Sequence, residues 1–107
     1  MKDKEEKKQL KGQATDEQIA MWKNLYKKVY EVEVDGSVCY LKTPDRKTIS
    51  AATSLGASDP VRYAEVMLEN CWLGGDDDIK TDNDKFFGVT SQLDKLTKVA
   101  KASLKEL

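Results

Sequence analysis

The chain contains no histidine in its 107 residues. That absence removes Ser-His and Cys-His nucleophilic catalysis and the commonest general base, and leaves only carboxylate or lysine chemistry open. Cysteine is scarce as well. Cys39 and Cys71 with no histidine make a poor zinc set. The opening stretch MKDKEEKKQLKGQ is charged and has no apolar segment of signal-peptide type, and no apolar run approaches transmembrane length. A reducing, cytoplasmic setting is therefore expected, with both cysteines as free, buried small hydrophobes and a disulfide as the alternative. Neither charge is in excess: 18 basic and 19 acidic residues give a net charge of -1. That balance argues against a nucleic-acid partner or a membrane surface, both of which favour a basic excess. No glycine loop of phosphate-binding type is present, because Gly74-Gly75 follows a predicted helix instead of opening one. The aromatics Trp22, Tyr26, Tyr30, Tyr40 and Tyr63 are not interleaved with a basic strip, so base stacking is not expected.

What is present is organised around Val29–Pro44, VYEVEVDGSVCYLKTP. Asp35-Gly36 is a strong hairpin signal, since both central residues of a type I′ turn need φ > 0. A two-residue turn fixes the register, pairing Val34 with Ser37, Val32 with Cys39 and Tyr30 with Leu41 on a mostly apolar face. The other face pairs Val29 with Lys42, Glu31 with Tyr40 and Glu33 with Val38, and is expected to be the wetter one. A hairpin alone is marginal in water, so helices must cover its apolar face.

Residues 1–14 are dense in charge, with little apolar bulk beyond Leu10, and are expected to form a flexible arm. Residues 15–107 are expected to form a single α+β domain. Thr15–Gln18 has the pattern of a capping box, and Ile19, Trp22, Leu25 and Tyr26 follow at helical spacing. After the hairpin, Thr43-Pro44 is expected to start a helix, with Thr43 as N-cap and Pro44 at its first position, ending at Gly56. Asp59-Pro60 repeats the device for the next helix, with Ser58 as the alternative cap; its stripe is Val61, Ala64, Leu68, Cys71 and Trp72, and it stops at Gly74-Gly75. A last helix is expected from about Asp82 towards the C-terminus, carrying Phe86, Val89, Leu93, Leu96 and Ala100, with Gly88 placed for close packing. The expectation is thus an α+β fold: one two-stranded hairpin packed with about four helices, helices dominating.

Few groups could carry chemistry. The acidic run Asp76–Asp84 invites calcium, but counted from Asp76 the EF-hand pattern fails at Lys80, Thr81 and Phe87. A solvated loop ending in a helix cap at Thr81 or Asp82 is the expected alternative. Glu65 and Glu69 lie one helical turn apart, a spacing that suits a carboxylate dyad but also an ordinary wet face with Arg62. No catalytic, cofactor-binding or metal-binding residue is assigned, and no cofactor is expected.

The run Y40-L-K-T-P-D-R46, the Ala-rich helix after it, D59-P60, E65-V-M-L-E-N-C71-W and G74-G-D76 together resemble small proteins encoded in phage and prophage tail-gene regions. Within that group the chain looks most like the tail assembly chaperones of long-tailed phages. The resemblance covers Val32 to Ile79, about half the chain, and omits the charged arm and the TDEQ helix. It implies a non-enzymatic role: coating the long hydrophobic helices of the tape-measure protein, helping recruit tail-tube subunits, and possible self-association. The alternative is a structural tail or head-completion component, or a small protein–protein adaptor. Grooves between helices suit such partners, because an amphipathic helix docks by its i, i+3, i+4 anchors. Glu31 and Tyr40 on the wetter hairpin face, with Lys42, Pro44 and Arg46 at its exit, are the expected partner-binding residues.

Overall fold

The hairpin forms with the register that its turn dictates. In the computed structural model, which describes residues 10–96 and 101–107, Asp35 (φ 46°) and Gly36 (φ 81°) both adopt the left-handed conformation of a type I′ turn. They join β1 (Val29–Val34) to β2 (Ser37–Lys42), with Val34 opposite Ser37, Val32 opposite Cys39 and Tyr30 opposite Leu41. Before the hairpin comes α1 (Asp16–Leu25); after it come α2 (Arg46–Leu55) and α3 (Pro60–Cys71). The capping box at Thr15 is complete, with the Gln18 amide donating to Thr15 Oγ1 at 3.1 Å and the Thr15 amide donating to Gln18 Oε1 at 3.0 Å.

The sheet has three antiparallel strands in the order β1-β2-β3, not two. Helix α3 ends at Cys71 and passes without a loop into β3 (Trp72–Gly75), which pairs with β2 through Leu41–Trp72, Tyr40–Gly74 and Cys39–Gly75. The two glycines expected to stop a helix are what admit the strand. A Cβ on Gly75 would lie 2.5 Å from the Cα of Cys39, and the residue holds φ at +142°. A Cβ on Gly74 would meet the Trp22 ring at 3.0 Å. The expected arm also ends earlier than residue 14. Lys11 donates its amide to the Gly36 carbonyl and accepts from the Val38 amide, both at 3.0 Å, so that it bridges in parallel to Ser37. Residues 1–9, the rest of the expected arm, lie outside the described residues.

Over β2 both faces of the sheet are covered, so the expectation of a wetter second face holds only over β1, where Glu31 and Glu33 stay exposed. On one side Cys39 and Leu41 join Ala52, Val66, Met67, Leu68, Cys71, Ile79, Phe86, Val89, Leu93 and Leu96 in the main core. On the other, α1 lays Trp22 over Val38 and Tyr40, with Leu10, Ala14, Ile19, Tyr26, Val29 and Leu73 around them. The helix after the hairpin begins two residues later than expected. Asp45, not Thr43, is its N-cap and accepts from the Thr48 amide at 2.8 Å. Pro44 precedes the cap and is buried. Asp59 caps α3 with Pro60 at its start, as the sequence indicates.

The expected long final helix is divided. A single turn, α4 (Asp78–Thr81), precedes α5 (Asn83–Thr90), which Asp82 caps by accepting from the Lys85 amide at 3.0 Å. Gly88 sits against β1, where a Cβ would come 2.8 Å from Val34 Cγ2. Beyond Thr90 the chain tightens into a 3₁₀ turn, Leu93–Leu96, that buries both leucines. Ala100, the last member of the expected stripe, lies outside the described residues, and residues 101–107 are exposed and non-helical. Among the described residues no helix is long and apolar enough to cross a membrane.

Candidate partner-binding surface

The five residues expected to meet a partner separate into two kinds. Tyr40 is 2 % exposed and lies beneath Trp22, the ring centroids 5.4 Å apart. Its hydroxyl accepts from the Ala14 amide at 3.2 Å. Pro44 is buried as well. Both are therefore framework residues, and the expectation is corrected for them: a tyrosine on the second face of a hairpin looks wet only until another element covers that face. Glu31 and Arg46 are exposed and Lys42 is half-buried. Glu31 and Lys42 stand in successive pairs on one hairpin face but line different grooves. Glu31 lines a groove of about 190 Å³ with Ile19, Lys23 and Val29. Lys42 lines a separate groove of about 340 Å³ with Tyr26, Lys27, Lys28, Thr43 and Asp45.

This second groove is the better formed for recognition. Lys42 Nζ stands 5.1 Å above the centre of the Tyr26 ring, a cation–π contact that holds the ammonium at the rim. The Thr48 amide keeps the Asp45 carboxyl below the usual carboxylate range, so the groove lining also carries a negative charge. The preceding turns of α1 expose Met21 (51 %) and Leu25 (65 %), one helical turn apart. Sequence reasoning placed Leu25 in the core stripe, because a 3.6-residue period cannot say how wide a face the neighbouring element will cover.

A polar cluster that the sequence did not disclose joins four distant segments. Ser37, fully buried, donates its hydroxyl to Asp76 Oδ2 at 2.6 Å and accepts from Lys85 Nζ at 2.9 Å. Asp76 Oδ1 accepts from the Asp78 amide at 3.1 Å, and Lys11 Nζ pairs with Asp78 Oδ2 at 2.8 Å. The Ser37 hydroxyl and the Asp78 amide hold the Asp76 carboxyl below its ordinary value. The Asp78 carboxylate, with Asp76 nearby, raises Lys11. A serine between an ammonium and a carboxylate has the parts of an activated nucleophile. Here the oxygen is fully buried and its proton is committed to Asp76. The arrangement fastens the hairpin turn to the acidic segment, α5 and the N-terminal segment at Lys11. Its only sequence signal was the acidic run, of which Asp76 and Asp78 enter the clasp and Asp82 caps α5. Among the described residues no group of three or more Cys, Asp or Glu side chains is placed to hold a metal.

The remaining expected chemistry is similarly occupied. Glu65 Oε1 accepts from Arg62 at 3.3 Å within a groove of about 260 Å³ that Glu69, Leu68, Lys80 and Phe86 also line. Lys80 Nζ lies 4.4 Å over the Trp72 ring. Cys39 and Cys71 are free and fully buried, and burial pushes the thiols up to about 12 and about 11. The chain matches no protein-family model, no curated protein and no solved structure.

Proposed function

We propose that this protein is a non-enzymatic binding protein that takes amphipathic helices, acting as a tail assembly chaperone that keeps the helices of a tape-measure protein soluble and helps recruit tail-tube subunits. The observation that carries the reading is the exposed Met21–Leu25 pair of α1, followed directly in the chain by Tyr26, Lys27 and Lys28, which line a groove with Lys42. An apolar pair one turn apart, with Lys27 and Lys28 close behind it in the chain, suits a helix with leucine-type anchors at i and i+4 and acidic residues flanking them. Lys42, Thr43 and Asp45 of the groove belong to the hairpin exit, the segment whose sequence resembles the chaperones of long-tailed phages. Each contact of this size is weak, so coating a long helix depends on many copies binding side by side.

Co-expression with the tape-measure protein of the same genome tests the proposal. The expected result is more soluble tape-measure protein and its co-purification with this chain. Leu25→Asp combined with Lys42→Glu should remove both effects while leaving the circular dichroism spectrum intact. No gain in solubility and no co-purification with the unaltered chain would end the proposal. Presence of the protein in finished virions would favour a structural tail component instead.

A further inference from the structure

Among the described residues nothing pairs with the outer edge of β1, and the phase of that edge follows from the turn. Val34 and Ser37 close a two-residue loop, so Val34, Val32 and Tyr30 exchange backbone bonds with β2 while Glu33, Glu31 and Val29 direct theirs out of the sheet. The far side of the hairpin confirms this alternation. Val38, opposite Glu33, donates to the Lys11 carbonyl at 3.0 Å and accepts from the Asp76 amide at 3.1 Å, both away from β1. Lys11 and β3 thus seal the free edge of β2. Among the described residues nothing makes a backbone hydrogen bond to the outward groups of Val29, Glu31 or Glu33.

Such an edge is a template for another strand, and its side chains define which strand. Glu31 and Glu33 project from one face of β1 and are exposed. A groove of about 340 Å³ runs along the strand, lined by Tyr30, Val32, Gly88 and Leu96 and also by Glu31, Glu33 and Lys95. The Tyr30 hydroxyl is screened from solvent and has no hydrogen-bond partner among the described residues. A second copy of β1 would set glutamates against glutamates, which is unfavourable across a strand pair. We infer that the β1 edge accepts an extended segment of a partner protein by strand addition. The segment carries Lys or Arg at alternate positions facing Glu31 and Glu33, and an apolar side chain between them that enters the groove. Backbone bonds supply the affinity and the alternation supplies the selectivity. The site is separate from the α1 groove, so either reading can fail without the other.

The test uses the full chain and a blocked peptide of alternating Lys and Val, with NMR and fluorescence anisotropy as readouts. Binding should slow hydrogen exchange at the amides of Glu31 and Glu33 and perturb Val32 and Gly88. Glu31→Lys with Glu33→Lys should weaken it by about tenfold or more, as expected for reversing two exposed ion pairs. N-methylation of the peptide amides that face β1 should abolish binding, which a merely ionic contact would not do. The inference is overturned if the N-methylated or an alternating Glu-Val peptide binds equally well, or if the perturbations map elsewhere. It is also overturned if the Glu31 and Glu33 amides are already protected in the free chain, by self-association or by the chain's own termini.

Discussion

Tyr40 gives the sharpest test of how this sheet is covered. If its ring is the floor of the second core, Tyr40→Ala removes a nearly fully buried aromatic beneath Trp22. Large-to-small changes of this kind cost about 3–5 kcal/mol, the upper part applying where the site cannot collapse. Collapse is restricted here, because β2 is the central strand and the Trp22 ring also rests on Gly74. Tyr40→Phe keeps the ring pair and loses only the bond from the Ala14 amide, which costs about 0.5–1.5 kcal/mol. With an m-value of about 1.5 kcal/mol per M in urea, the alanine variant should lower the midpoint by about 2–3 M and the phenylalanine variant by less than about 1 M. Against a total stability of about 5–15 kcal/mol, the first change brings the chain near unfolding in buffer. Urea titration followed by circular dichroism and tryptophan fluorescence reads both. An alanine variant within about 0.5 kcal/mol of the parent would refute the second core and return Tyr40 to the surface.

Other consequences are equally direct. Gly75→Ala should destabilise by about 3 kcal/mol or more, because φ is +142° and the added Cβ meets the Cys39 and Val38 backbone; thermal unfolding would show it as a drop of about 4 °C or more per kcal/mol. The thiols should resist alkylation at pH 8 and react fully in denaturant. Unfolded cysteines ionise near 9.0, whereas the folded thiols hold their protons to about 12 and about 11. Above pH 9 the unfolded state therefore binds fewer protons and stability falls with rising pH, a slope that should flatten in Cys39→Ala with Cys71→Ala. At the acid end, Asp76 is held below 3.8 by its partners, so its contribution is present above that value and lost as pH falls below it. Asp76→Asn should make urea midpoints between pH 2 and 5 less steep in pH.

Glycine illustrates how much local sequence can and cannot say. At Gly36 the turn chemistry alone specifies the conformation, and at Gly88 an unfavoured residue in a helix correctly signals a close neighbour, Val34. At Gly74-Gly75 the same residue type means something else. These two positions end a helix in sequence terms, yet they lie flat against β2 and Trp22. That meaning depends on a partner thirty-odd residues away, which no local pattern names. The candidate surface follows the same division. Lys42 and Arg46 could be placed near the hairpin exit from the sequence, whereas the exposure of Met21 and Leu25 depends on how far α1 overlaps the sheet.

By itself, then, the sequence determined the turn, the strand register, the capping box at Thr15, the cap at Asp59 and the α+β class, because each rests on backbone sterics or hydrogen bonds within a few residues. Only the tertiary structure decided that a third strand follows α3, that Val38 and Tyr40 are roofed by Trp22, that Lys11 joins the sheet, and that Ser37, Asp76 and Lys85 form one linked cluster. These are pairings between segments far apart in the chain. Their free energy comes from burial and from satisfying polar groups once buried, and both terms exist only after the segments have met.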